Sequence, residues 1–218
     1  MLDALRDQPQ WGRKWRLFAV ACCRQVGHLF TDRRWGAALE AAERFADAEI
    51  TEEQLQAAHD AAAATVKKRN ALSPGKLACA VAAPSSSSAA YNCAFYVRQL
   101  AIRDVTDREA ATATWASVER GLCDLLREVI GTPFRPVVLS PTWLAWEGGT
   151  VPELALSIYD RRRFAEMPYL GDALEEAGCT SAEVLDHCRG PAKVLDHCRG
   201  PAKHVRGCWL LDRVLEFS

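Results

Sequence analysis

A chain of 218 residues with 27 basic and 28 acidic side chains has a net charge of −1. That balance argues against a nucleic-acid footprint or a polybasic membrane anchor, since both need a clear excess of Lys and Arg. With 49% apolar and 25% charged residues, it has the composition of a globular protein long enough to fold without disulfides or metal.

The length allows one large domain or two small ones, at roughly 100–200 residues each. Near the start, Arg13-Lys14-Trp15-Arg16 precedes the apolar run Leu17–Cys22 and imitates a signal peptide ending in a lipidated cysteine. The run is shorter than the roughly 7–15 residues of a signal core, and its pattern continues helically beyond Cys22. No stretch approaches the roughly 18 apolar residues of a membrane span. The expectation is a cytoplasmic protein with no membrane partner, its nine cysteines reduced rather than paired.

Helical periodicity dominates the first half. Trp15, Phe18, Cys22, Val26 and Leu29 mark one buried face of a helix from about Gly12 to Phe30, and Cys22 and Cys23 read as small core residues. Asp32 is a candidate N-cap for a second helix bearing Trp35, Leu39, Ala42 and Phe45. Thr51-Glu-Glu-Gln54 is a capping box opening a third, closed by Lys67-Lys68-Arg69. A short helix over 77–83 stops at Pro84, and helical character resumes over 89–105. Thr106-Asp-Arg-Glu109 predicts a further capping box, and Gly131 the C-terminal glycine of the long helix that follows. Residues 1–131 are therefore expected to form an antiparallel helical array.

Three prolines between Thr132 and Pro141 bias the chain towards extended structure. They place a domain boundary there, with 132–218 as a smaller helical lobe. Ser140-Pro141 caps a short helix bearing Trp143 and Trp146, Thr150-Val-Pro-Glu153 opens another, and one from about Pro168 ends at Gly178. Thr180-Ser-Ala-Glu183 is read as a capping box, and a last helix is expected from His204. The fold class is thus all-α.

The C-terminal lobe holds a feature no folding argument anticipates. Val-Leu-Asp-His-Cys-Arg-Gly-Pro-Ala-Lys occurs twice without divergence, at Val184–Lys193 and Val194–Lys203. Ten residues are too few for a stacking repeat, which needs about 20 or more to bury a face. The pattern reads as a recent tandem duplication, with one copy packed and the other bulging out.

Arg16–Arg24 (RLFAVACCR), Leu125–Pro136 (LLREVIGTPFRP) and His197–Trp209 (HCRGPAKHVRGCW) resemble a family of uncharacterised planctomycete proteins across nearly the whole chain. The resemblance implies a bacterial, mostly helical protein of unknown activity, with a further opening helix ahead of residue 1 and no tandem copy. It carries over no catalytic residues.

Read across one copy of the duplication, Cys179, Cys198, His204 and Cys208 are spaced much as in a small CCCH zinc finger, with the last two ligands exchanged. Cys188 is the alternate for Cys198. Zinc accepts three thiolates and one imidazole, and His204 and Cys208 would share one face of the expected helix. Against this stands the bland reading: cysteines packed in a core, histidines hydrogen-bonded, and no cofactor needed to fold.

Enzymatic templates are missing: there is no HExxH, G-x-S-x-G, Walker A or GxGxxG pattern. Asp186-His187 and Asp196-His197 are helical neighbours pointing apart, a poor orienting geometry. The last helix is apolar where a DNA-reading helix is polar. The leading expectation is a non-enzymatic helical module acting through contacts with other proteins. The alternative is a zinc-stabilised Cys/His binding module.

Overall fold

The computed structural model describes residues 11–66, 72–133, 137–190 and 204–217. The protein is all-α, with eleven α-helices, three short 3-10 turns and no strand among the described residues. Two compact units are present, Met1–Leu126 and Arg127–Ser218. Their division falls within the last turns of a helix, upstream of Gly131.

The first unit contains α1 (Gly12–Gln25), α2 (Arg33–Ala46), α3 (Glu52–Ala63), α4 (Pro74–Val81), α5 (Ser86–Ile102) and most of α6 (Arg108–Ile130). Helix α1 is its centre: every residue from Lys14 to Cys23 is buried, and the helix packs against α2, α4 and α5. A helix buried all round needs neighbours on every side. It ends earlier than the apolar pattern predicts. Beyond Val26 the chain tightens into a 3-10 turn at Gly27–Leu29, where glycine's low helix propensity favours the break.

Arg16 ties α1 to the end of α4. Its side chain is buried, with Nη1 donating to the carbonyls of Val81 (3.0 Å) and Ala83 and Nη2 to that of Pro84 (2.8 Å). Those carbonyls lie where α4 runs out of intrahelical donors. Burial lowers the Arg16 pKa to about 10, which leaves it charged at neutral pH. Cys22, Cys23 and Cys93 are fully buried nearby, with the Cys23 and Cys93 sulfurs 3.7 Å apart.

The caps follow the sequence closely. Asp32 accepts from the Arg34 N–H, and the Thr51/Gln54 box is formed in both directions. At the start of α6 the acceptor is Asp107 rather than Thr106, taking the Ala110 N–H at 2.6 Å. Helix α3 stops at Ala63, and Lys67–Arg69 lie outside the described residues.

The second unit contains α7 (Pro141–Leu144), α8 (Thr150–Asp160), α9 (Met167–Glu176), α10 (Ala182–Arg189) and α11 (Trp209–Val214). Val151, Ile158, Met167, Leu170, Leu174, Val184, Leu210 and Leu211 form its core, with Trp143 and Trp146 packed at the edge. Ser140 caps α7 as its position predicts. Helix α10 differs: Ser181 is the N-cap without a side-chain bond, and its carbonyl accepts from Val184 and Leu185. The expected helix from His204 starts only at Trp209, because Gly207 takes φ +90° and the chain turns with a Cys208 N–H to Val205 carbonyl bond of 3.0 Å. Among the described residues no helix is long and apolar enough to cross a membrane.

Within the first ten-residue copy, Val184–Arg189 is helical and buries Val184 and Cys188, and Gly190 at φ +80° ends the helix. The second copy lies outside the described residues. Since the copies are identical, removing either one yields the same polypeptide. We expect deletion of Val194–Lys203 to leave the thermal midpoint unchanged or raised, because the length of chain joining two packed segments changes stability by only about 0.6 kcal/mol per doubling. A circular-dichroism melt decides it: a fall of more than about 4 °C, over 1 kcal/mol in a chain of this size, would show that both copies are structural.

Candidate metal centre

Four side chains from three segments of the second unit converge. Glu128 comes from the last turn of α6, His187 from α10, and His204 and Cys208 from the turn that leads into α11. Each has a local reason for its placement.

Helix α6 ends at Gly131, whose φ of +67° suits glycine and whose N–H bonds the Arg127 carbonyl at 2.8 Å. The Trp209 indole lies against that bare Cα: a Cβ at position 131 would sit 2.8 Å from Trp209 Cγ. On α10, Val184 and Cys188 face the core, and His187 lies beside them at the border. The turn at Gly207 folds Cys208 back and brings it near His204 without a helix.

His204 Nδ1 is 3.0 Å from Glu128 Oε1. His187 Nε2 is 3.1 Å from Cys208 Sγ and 3.6 Å from Glu128 Oε2. The two imidazoles meet edge to face at 5.0 Å between centroids. On its far side, His187 Nδ1 accepts the Trp209 indole N–H at 3.2 Å. One donor atom from each of the four residues falls within 4.8 Å of all the others.

The group is withdrawn from water. The His204 side chain is 4% exposed, Glu128 10% and His187 14%, and Cys208 is fully buried. Burial lowers the His187 pKa to about 4, outweighing the opposing pull of the Glu128 charge. For Glu128, burial acts upwards, but the hydrogen bond to His204 and electrostatic attraction to the two imidazoles prevail and lower its pKa from the ordinary glutamate value. The Cys208 thiol is pushed well up by burial and further by the Glu128 carboxylate.

This is poor geometry for a nucleophile. Thiolate formation at Cys208 is opposed by burial, and an indole rather than a carboxylate holds the second nitrogen of its histidine partner. As a ligand set it is complete: two imidazoles, a carboxylate and a sulfur can together surround one ion.

Of the residues the sequence nominates, His204 and Cys208 are brought together here. Cys179 and Cys188 are each 1% exposed in the apolar core of this unit and are not among the four. Cys188 packs tightly on α9, its Cβ 2.9 Å from where a Cβ on Gly171 would stand, and burial pushes its pKa up to about 12. Cys198 lies outside the described residues.

Glu128 is not singled out by the sequence, and His187 is weighed there only as half of the Asp186-His187 pair, not as a ligand. A signal existed for Glu128: a carboxylate in the last turn of a helix opposes the helix dipole, so it calls for a cationic or metallic partner. His187 offered none beyond its position one residue before a core cysteine. Set against protein-family models, curated proteins and solved structures, the chain matches none of them, and the functional reading rests on the chemistry of these four side chains.

Proposed function

We propose that residues 127–218 form a zinc-stabilised helical module, with Glu128, His187, His204 and Cys208 as the four ligands, acting through contacts with other proteins. The observation that carries the reading is the convergence of the four donor atoms within 4.8 Å. Ligands on a tetrahedral zinc, at about 2.0–2.3 Å from the ion, stand roughly 3.3–3.7 Å apart. The contacts of 3.0, 3.1 and 3.6 Å are near that spacing, and the remaining pairs, out to 4.8 Å, would close by about 1 Å around an ion.

Charge supports a divalent ion. One thiolate, one carboxylate and two neutral imidazoles sum to minus two, and a dication makes the buried site neutral, which avoids the cost of burying net charge. Four protein ligands leave no open position for substrate, the mark of a structural rather than catalytic zinc. A saturated, buried ion directs function to the surface, where Leu156 and Tyr169 of this unit are exposed at 46% and 65%.

Metal analysis of protein purified without added zinc tests the proposal. We expect one zinc per chain, lost on Cys208→Ser and on His204→Ala. Chelation of the wild type should lower stability by about 3 kcal/mol relative to free zinc held a hundredfold above its dissociation constant. Folded wild-type protein that neither carries zinc nor takes it up would sink the reading.

A further inference from the structure

Trp209 stands directly behind one of the four ligands, and its hydrogen bond has the wrong polarity for a loaded site. Its indole N–H donates to His187 Nδ1 at 3.2 Å, while Nε2 of the same ring faces Cys208 Sγ at 3.1 Å and Glu128 Oε2 at 3.6 Å. A neutral imidazole has one donor and one acceptor nitrogen, and an indole N–H can only donate. With Nδ1 accepting, the ring hydrogen sits on Nε2 and points into the site.

An ion on Nε2 requires the reverse. The ligating nitrogen offers its lone pair and the hydrogen moves to Nδ1, where it meets the indole N–H: two donors face each other. Metal-bound histidines normally give that second N–H to a carboxylate, a carbonyl or water, and Trp209 is none of these. Resting on the zinc reading, we propose that Trp209 is a metal-responsive positioning residue: loading the site breaks its bond to His187 and displaces the indole.

A displacement of the indole would be felt by its neighbours. Trp209 is the first residue of α11 and directly follows the ligand Cys208. Its ring is tilted 50° to His187 at 4.7 Å and rests on the backbone at Gly131. Occupancy is thereby transmitted to the start of α11 and to the end of α6. The four side chains also bond to one another, beside a core that includes Ile158, Leu170 and Leu210.

The test uses the full chain, stripped of metal and titrated with Zn²⁺ alone. Nitrogen-15 NMR reads the His187 tautomer and the Trp209 indole resonance, and calorimetry compares zinc affinity with that of Trp209→Phe. We expect the hydrogen to move from Nε2 to Nδ1 on loading, the indole signal to shift, and Trp209→Phe to bind zinc roughly tenfold tighter, the scale of one buried donor no longer left unpaired. Zinc binding with an unmoved indole signal, or with unchanged or weaker affinity in Trp209→Phe, overturns the inference and leaves the metal site standing. No zinc uptake by the wild type overturns both. If Trp209→Phe does not fold, the wild-type spectra decide alone.

Discussion

Arg16→Met should destabilise the first unit by about 2–4 kcal/mol, a loss seen as a lower urea midpoint. The methionine fills much of the same volume but supplies no donor. The carbonyls of Val81, Ala83 and Pro84, which the guanidinium now serves, would be left without it. The bond to Val81 is buried and those to Ala83 and Pro84 are partly buried; a fully buried acceptor so stranded costs about 1–3 kcal/mol, and a partly buried one less. The helix cannot rescue itself by continuing, because Pro84 has no N–H to offer. Arg16→Lys should fall between: an ammonium is a point donor and cannot reach three carbonyls as a planar fork does. Since the acceptors are neutral, the loss should be nearly independent of salt. A change below about 1 kcal/mol for Arg16→Met would show that water takes over those carbonyls at little cost.

Acid should begin to destabilise the second unit of the metal-free protein before its carboxylates titrate in bulk. Folding keeps His187 neutral down to about pH 4, whereas the unfolded chain takes up that proton near pH 6.5. Between those values the unfolded state binds more protons, so stability falls as pH falls. At 1.36 kcal/mol per pKa unit the loss is roughly 3 kcal/mol by about pH 4. Glu128 acts in the same direction: its folded pKa is lowered, so its contribution is present above the unfolded value and is lost as pH drops through the folded one. Urea titrations of metal-free protein at several pH values should show this slope, and His187→Gln should flatten most of it. A slope that persists unchanged in His187→Gln would place the acid sensitivity elsewhere.

What the sequence disclosed was local. Thr51 with Gln54, Asp32 and Ser140 each announce a helix start by their own side chains, and the structure places caps at all of them. Where a rival acceptor or a glycine stood next door, the local rule slipped: Asp107 displaced Thr106, and Gly207 delayed the last helix to Trp209. The site was half legible for the same reason. His204 and Cys208 are close in the chain, and their spacing drew attention. Glu128 lies 76 residues from His204, and only the packing of α6, α10 and the turn before α11 brings it there. A spacing motif cannot register a ligand delivered by tertiary structure. Cys179 and Cys188 show the converse: a ligand-like interval in the chain can place both sulfurs in an apolar core.

Position 131 is closed to side chains from two directions. Its φ of +67° disfavours any residue with a Cβ, and the space a Cβ would occupy is already taken by Trp209, 2.8 Å away at Cγ. The end of α6 therefore has a zero mark that cannot slide along the chain. Glu128 is read off from that mark, three residues back. Because each residue turns a helix by about 100°, a single insertion between them would swing the carboxylate more than a quarter of a circle away from His187 and His204. Deletions and insertions far upstream in α6 leave that count untouched. The angular phase of the carboxylate is set from the helix's last residue backwards, not from its first residue forwards.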